Sequence, residues 1–230
     1  MESHTSSHTS SHHTSLTRTH LITLSLYSIF PFYIVNDWVV VSEDLDIYIC
    51  DTGLSHAECD SLVQTTEQAC KGHYAAYTYA KQTLGCREFP ILAHACWDAV
   101  SRVTHIIWKT FPASQILQLD DREPHIVKYD VTKKERQKLD MHTDKSEWTF
   151  LIALSDGCGL DYEGGGTYFE ALDATVHVQR GHALIFPGKL RHCGQRITNG
   201  LRFLLVGFLV DKANQASLFK DFSEPAGVDA

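Results

Sequence analysis

A histidine and an aspartate are separated by one residue in the segment MHTDKSEW, residues 141–148. Because alternate side chains of an extended chain point to the same face, the side chains of His142 and Asp144 would lie together. An imidazole nitrogen and a carboxylate oxygen on one face can bind the same metal ion. The pair also arises by chance, so the rest of the chain has to supply further ligands.

A catalytic metal needs a third protein ligand near this pair. Two histidines and one carboxylate on one face of the metal suit non-haem Fe(II) and oxygen chemistry, because they leave positions open. His177, His182 and His192 qualify by position in the later β-rich segments. Arg202 follows His192 by ten residues, within a strongly apolar segment. A charge there needs a partner, and an anionic cosubstrate would supply one.

Short β-rich segments after Pro124 would position these residues. Turn signals such as SDGCG, EGGG and Asn199–Gly200 separate the segments HIVKYD, WTFLIAL, GTYFEA, TVHVQ, HALIFP and LRFLLVGFLV. Six to eight short strands at regular spacing predict a sandwich or a jelly roll.

Two helices are predicted before these strands. Capping-box spacing from Ser55 to Glu58, followed by apolar positions, predicts a helix at about residues 56–71. Apolar residues at helical spacing predict a long amphipathic helix over residues 91–111. Residues 73–90 are predicted to form a loop. The fold class is therefore α+β, with the helices covering one sheet.

Several motifs together resemble the Fe(II)/2-oxoglutarate oxygenases. His142, Asp144, His192 and Arg202 reproduce the HxD…H…R pattern of that family in the right order. The segments VKYD, DYEGGGTYF, FPGKLRHCG and TNGLRFLLVGF are similar to the prolyl 4-hydroxylase and procollagen lysyl hydroxylase branch. The similarity covers roughly residues 124–211.

The resemblance implies a double-stranded β-helix, a jelly roll whose mouth holds iron. His142, Asp144 and His192 match the family's triad of iron ligands, through which catalysis proceeds. Arg202 matches the basic residue that pairs with the distal carboxylate of 2-oxoglutarate. Tyr129 and Thr167 lie where such enzymes often add hydroxyl donors to the same carboxylate. For both, a purely structural place in a strand is the alternative.

The implied activity is that of a 2-oxoglutarate-dependent dioxygenase. Such enzymes use Fe(II), O2 and 2-oxoglutarate, hydroxylate an unactivated C–H bond, and release succinate and CO2. The resemblance also implies dependence on L-ascorbate. Asp144 favours hydroxylation, because related halogenases have a small residue there.

The substrate implied by the resemblance is a lysine or proline side chain in a peptide. Leu139 stands where prolyl hydroxylases commonly have a tyrosine, three residues before the first ligand, which favours the lysyl-type pattern. A small-molecule hydroxylase of the same fold and a non-catalytic, oxygenase-like binding module are the alternatives.

Composition and segment boundaries complete the predictions. Residues 1–40 combine a low-complexity Ser/Thr/His leader with an apolar segment, residues 41–123 form a helical support, and residues 124–230 form the dioxygenase β-domain. The net charge of −8 provides no general electrostatic footprint for nucleic acid, so no such partner is expected. The seven cysteines include no CxxC pair, which disfavours a structural zinc site.

The apolar segment at residues 21–35 has three competing interpretations. It is a signal anchor, a strand or helix packed on the domain, or an unreliable start of the chain. A signal anchor would place the protein at the endoplasmic reticulum or another membrane, with membrane contact through this segment. Otherwise a cytoplasmic location is expected.

Overall fold

The computed structural model describes residues 33–35, 38–74, 83–157 and 159–213. The helices in these ranges are α1 (His56–Cys70) and α2 (Pro90–Thr110), with short 3-10 turns at Cys86–Glu88, Pro112–Ile116 and Lys134–Arg136. The strands are β1 (Tyr33–Val35), β2 (Trp38–Ser42), β3 (Ile47–Asp51), β4 (Thr83–Gly85), β5 (Gln118–Leu119), β6 (His125–Asp130), β7 (Leu139–His142), β8 (Trp148–Ala153), β9 (Tyr162–Gly164), β10 (Thr167–Phe169), β11 (Ala174–Val176), β12 (His182–Phe186), β13 (His192–Gly194) and β14 (Ile197–Val210).

Two antiparallel sheets form the body of the protein. The large sheet has the order β1-β2-β3-β12-β8-β14-β6-β4, and β5 and β9 also pair with β14. The small sheet has the order β11-β10-β13-β7. This arrangement confirms the predicted jelly roll with supporting helices.

The alternation of side chains along β14 divides the apolar core into two layers. Leu204 and Val206 belong to the cluster between the sheets, where they lie with residues of the small sheet such as Phe169. Phe203 and Leu205 point the other way and join the cluster formed with the helices. The large sheet is therefore covered on both faces, which accounts for the nearly continuous apolar sequence of its central strand.

The two predicted helices are confirmed to within one residue at each end. Ser55 caps α1, and Lys71 ends it in a left-handed conformation with φ 49°. Pro90 is the first residue of α2, a position that proline tolerates because its missing N–H has no helical partner there. Pro112 follows the end of α2 and favours its termination.

Within residues 73–90, predicted to be a loop, residues 75–82 lie outside the described part, and residues 83–90 differ from the prediction. They contain β4, which pairs with β6, and a short 3-10 turn at Cys86–Glu88. A strand of three residues is too short to show a periodic pattern, so pairing with β6 decides its conformation. The large sheet also takes β2 and β3 from before α1. The division of the chain at residues 40 and 123 stays a prediction.

The leader and most of the apolar segment lie outside the described residues. Of residues 21–35, only the backbone of 33–35 is described, as β1 paired with β2. Across the described ranges, α1 and α2 included, no helix has both the length and the apolar character that a membrane span requires.

The cap of α1 provides a test of the fold. The Ser55 hydroxyl accepts a hydrogen bond from the Glu58 amide at 3.2 Å, and the Glu58 carboxylate accepts one from the Ser55 amide at 2.7 Å. We expect Ser55→Ala to lower the free energy of unfolding by about 1 kcal/mol, measured by urea denaturation. Ser61→Ala on the exposed face of the same helix is the matched control, and equal stability of the two variants would contradict this role of the cap.

Candidate metal centre

Strand pairing brings the two predicted histidine ligands face to face. His142 ends β7 and is the direct partner of His192 at the start of β13. Their rings lie 4.3 Å apart, centroid to centroid. Asp144 follows β7, and its backbone amide donates to the carbonyl oxygen of Gly188 at 2.8 Å. That bond holds the residue after the strand against the turn that precedes β13.

The carboxylate of Asp144 lies between the two imidazoles. Its Oδ1 is 3.5 Å from Nε2 of His142, and its Oδ2 is 3.5 Å from Nε2 of His192. The candidate ligand atoms of the three residues all lie within 4.8 Å of one another. Within the described part of the chain, no other group of three or more His, Cys, Asp or Glu residues is arranged to hold a metal ion.

Each side chain of this triad is oriented by a hydrogen bond to a group outside the triad. Nδ1 of His142 donates to the carbonyl oxygen of Asp140 at 2.7 Å, and Nδ1 of His192 donates to that of Leu190 at 2.9 Å. Nδ1 is then the protonated nitrogen, so Nε2 of each ring has a lone pair for a metal. The Thr149 hydroxyl donates to Oδ2 of Asp144 at 2.8 Å, a contact that no sequence motif indicated.

The two histidines differ in their exposure. His192 is 4% exposed and has the rings of Phe169 and Phe186 at 5.9 and 4.7 Å. This burial lowers the pKa of His192, so its ring stays neutral to lower pH than an ordinary histidine. The His142 side chain is 33% exposed and faces the open side. The site is therefore closed around one ligand and accessible beside the other.

The triad opens into a cleft between the two sheets, with an empty volume of about 400 Å³ including its mouth. Apolar side chains form much of its wall: Val127, Leu139, Leu151, Leu204, Val206 and Phe208. The polar side chains in the wall are the triad, Tyr129, Thr167 and His125. A mostly apolar lining with a few polar side chains is typical of small-molecule sites.

Arg202 is buried beside this cleft, 4% exposed, with its guanidinium stacked near two tyrosine rings. Its carbon Cζ lies 5.1 Å from the ring centre of Tyr129 and 5.8 Å from that of Tyr162. Nη1 donates to the carbonyl oxygen of Gly166 at 3.0 Å, while the buried Nε has no hydrogen-bond partner among the described residues. No carboxylate of the described residues forms an ion pair with Arg202, so its charge is available to an anion.

Tyr129 and Thr167 converge on the same end of the cleft. Tyr129 pairs with Arg202 across β6 and β14, and Thr167 pairs with Gly194 across β10 and β13. The two sheets approach closely here, because a Cβ at Gly194 would lie only 2.0 Å from the hydroxyl oxygen of Tyr129. Glycine is therefore required at position 194. The contact of the Tyr129 and Thr167 hydroxyls with a cosubstrate carboxylate stays a prediction.

The two other candidates for the third ligand lie apart from the triad. His182 begins β12, where it pairs with Asp51 of β3. His177 follows β11 and lies beside Gly166, since a Cβ at that glycine would be 3.0 Å from Cε1 of the ring. Neither residue is in the three-residue group that could hold a metal.

The arrangement fits an iron ion and an anionic cosubstrate. Two neutral imidazoles and a carboxylate on one side of a cleft form the donor set that non-haem Fe(II) takes in oxygenases. The buried Arg202, whose Nε has no partner in the described part of the chain, fits an anion on the same side of the large sheet.

Curated relatives resemble the chain over part of its length. It is 34% identical over 104 residues to the multifunctional procollagen lysine hydroxylase and glycosyltransferase of Caenorhabditis elegans, a match that covers 44% of this chain and 14% of the relative. It is 41% identical over 78 residues to the LH3 enzyme of the same description from Rattus norvegicus, covering 33% of this chain and 10% of the relative. No family model matches the chain.

Solved structures with low sequence identity have the same architecture. The viral collagen prolyl hydroxylase of Paramecium Bursaria Chlorella virus-1, in its 2OG complex, superposes with a TM-score of 0.50 at 16% identity, covering 71% of this chain and 94% of that chain. A prolyl-4-hydroxylase of Pseudomonas putida gives a TM-score of 0.51 at 12% identity, with coverages of 72% and 92%. The fold is that of the Fe(II)/2-oxoglutarate oxygenases. In this oxygenase fold, the triad and Arg202 are the residues whose roles need direct tests.

Removal of any triad side chain tests the metal site. We expect His142→Ala, Asp144→Ala and His192→Ala to weaken Fe(II) binding by more than the roughly 10- to 100-fold that loss of an outer hydrogen-bond partner costs. Equilibrium dialysis under nitrogen measures this, and thermal unfolding checks that the variants stay folded. His182→Ala is the control and should bind as the wild type does. A triad variant with wild-type affinity would remove that residue from the ligand set.

Proposed function

We propose that this protein is an Fe(II)- and 2-oxoglutarate-dependent dioxygenase that hydroxylates a lysine or proline side chain in a peptide. One observation carries the proposal: the His142, Asp144 and His192 group lines the inter-sheet cleft, and the buried Arg202 lies directly beside Tyr129 of the same cleft wall. The chain spans 14% or less of the curated relatives described above, so activity and substrate rest on this site.

The side chains of the cleft have distinct parts in this reaction. Bound Fe(II) and 2-oxoglutarate supply, with O2, the oxidising power to hydroxylate an unactivated C–H bond, and succinate and CO2 are released. His142, Asp144 and His192 would hold the metal, and two neutral imidazoles with one carboxylate would leave it a net positive charge that attracts a dianion. The Asp140 and Leu190 carbonyl oxygens keep each imidazole in the ligand tautomer.

Arg202 would bind the distal carboxylate of 2-oxoglutarate. A guanidinium is permanently charged and matches a carboxylate in a two-point contact. The hydroxyls of Tyr129 and Thr167 would donate to the same group. The surrounding apolar side chains exclude water and so strengthen these contacts.

The substrate class rests on the relatives. The names of the curated relatives describe procollagen lysine hydroxylases, and the titles of two similar structures describe prolyl hydroxylases. A small-molecule hydroxylase of the same fold is the second candidate, since the cleft is lined mostly by apolar side chains with a few polar ones, as small-molecule sites are. A non-catalytic binding module is disfavoured, because it would have no reason to keep both the triad and Arg202.

Ascorbate dependence is part of this proposal. Ascorbate would return the metal to Fe(II) after oxidation in turnovers that are not coupled to a substrate. Membrane contact through residues 21–35 stays a prediction, and an endoplasmic reticulum location would follow from it.

The decisive experiment measures succinate formation with Fe(II), 2-oxoglutarate and ascorbate against lysine peptides, proline peptides and small molecules. Stimulation of succinate formation by a peptide, together with a 16-dalton mass increase of its lysine or proline, is the expected result. Stimulation by a small molecule alone would favour the second candidate. A protein that binds Fe(II) yet forms no succinate, with or without any substrate, would overturn the proposal.

Arg202 provides an independent test of cosubstrate binding. Arg202→Ala should weaken 2-oxoglutarate binding by about 30- to 1,000-fold, because a buried charged partner worth roughly 2–4 kcal/mol is lost. Arg202→Lys should recover part of the loss, since it restores the charge without the planar fork. Titration calorimetry under nitrogen gives both affinities.

The exposed Arg191, which pairs with Glu170, supplies the matched control for this test. Arg191→Ala should bind 2-oxoglutarate as the wild type does. Fe(II) affinity should change little in the Arg202 variants, because Arg202 is not a ligand. Unchanged 2-oxoglutarate affinity in Arg202→Ala would contradict the assignment.

A further inference from the structure

Asp144 is the one member of the triad that does not belong to a strand. His142 ends β7 and His192 begins β13, whereas Asp144 lies in the turn between β7 and β8. The hydrogen bond of its amide to Gly188 fixes its backbone but leaves its side chain free to rotate. That side chain is 8% exposed, so its carboxylate needs a hydrogen-bond donor or a cation.

The donor to this carboxylate comes from the centre of the large sheet. Thr149 is fully buried in β8, where it pairs with Phe186 of β12 on one side and Phe208 of β14 on the other. Its β-branched side chain has few rotamers. Its hydroxyl donates to Oδ2 of Asp144 at 2.8 Å. A side chain of the rigid sheet therefore orients the ligand that the turn carries.

A second hydroxyl holds the first. Oγ of Ser146 lies 2.9 Å from Oγ1 of Thr149. A hydroxyl has a single hydrogen, and Thr149 uses its hydrogen in the bond to the Asp144 carboxylate, which can only accept. Ser146 is therefore the donor to Thr149. The two bonds form a chain directed from Ser146 through Thr149 to Asp144, called the hydroxyl relay below, and each bond in such a chain strengthens the next.

The turn before β13 leaves room for this relay. A Cβ at Gly188 would lie 2.6 Å from the carbonyl oxygen of Ser146 and still closer to its hydroxyl oxygen. A side chain at position 188 would therefore displace Ser146. The carbonyl oxygen of Gly188 also accepts the Asp144 amide, so one glycine contacts both the ligand and the residue at the start of the relay.

We infer that Thr149 and Ser146 are positioning residues, whose relay holds the Asp144 carboxylate in its metal-binding orientation before the metal arrives. A ligand that is already oriented loses less conformational freedom on binding, so the metal binds more tightly. This inference rests on the metal site of the proposed function. It identifies residues outside the triad that set the affinity of that site.

Replacement of the Thr149 hydroxyl tests the relay. Thr149→Val keeps the size and the β-branching of the side chain and removes the donor. We expect it to weaken Fe(II) binding by about 10- to 100-fold, the range for loss of an outer hydrogen-bond partner, as measured by equilibrium dialysis under nitrogen. Thr149→Ser restores the hydroxyl and should recover most of the loss.

The direction of the relay predicts how Ser146 and Thr149 combine. Ser146→Ala alone should weaken Fe(II) binding by about 2- to 10-fold, since it removes a bond between two neutral groups and leaves the bond to Asp144 in place. In the Thr149→Val background it should have no further effect, because Ser146 acts only through Thr149. Additive losses in the double variant would contradict the relay.

Thr66→Val is the matched control for a lost buried hydroxyl. Thr66 is fully buried in α1, and its hydroxyl donates to the carbonyl oxygen of Leu62 at 2.7 Å. This helix packs on the other face of the large sheet, away from the cleft. Thr66→Val should lower thermal stability, as Thr149→Val should, but keep wild-type affinity for Fe(II).

A folded Thr149→Val protein with wild-type Fe(II) affinity, or a Thr149→Ser protein as weak as Thr149→Val, would overturn the inference. Ser146→Ala changes a half-buried turn and tests the relay even if Thr149→Val does not fold, since wild-type affinity in that variant would also contradict it. Failure of the proposed function differs: the wild type would bind Fe(II) but form no succinate, and the affinities of the variants would still decide this inference.

Discussion

The pairing of β7 with β13 is the contact on which the rest of the site depends. It sets His142 opposite His192, and the amide of Asp144 then binds the turn before β13. A shift of one residue in this pairing would turn one imidazole to the other face of the small sheet. The apolar layer between the sheets opposes such a shift, because it would expose core side chains such as Leu139 and bury polar ones.

Sequence patterns predicted what local periodicity and chemistry encode. The helices follow from a capping box and a helical apolar repeat, and the HxD spacing places His142 and Asp144 on one face. The choice among His177, His182 and His192 could not be made from position, since all lie in β-rich segments. Strand register decides it, and register depends on pairing between segments about fifty residues apart in the chain.

The parts that the sequence did not reveal depend on tertiary contacts. Thr149 and His125 belong to no motif, and each is placed in the cleft by its strand partners. The sequence gives no reason for glycine at position 194. The reason is tertiary, because the hydroxyl of Tyr129 occupies the position that a side chain at residue 194 would need. β4 is too short to predict and forms because β6 offers it an unpaired edge.

The fourteen-residue strand β14 fixes the distance between the two ends of the cleft. Arg202 and Phe208 lie on the same face of this one strand, so about 20 Å of rigid backbone separates the two ends of the cleft. A dicarboxylate anchored at one end occupies only part of that length. The length that remains for the substrate is fixed by the backbone. A substrate side chain that reaches the metal must therefore match this length, whatever functional group it carries.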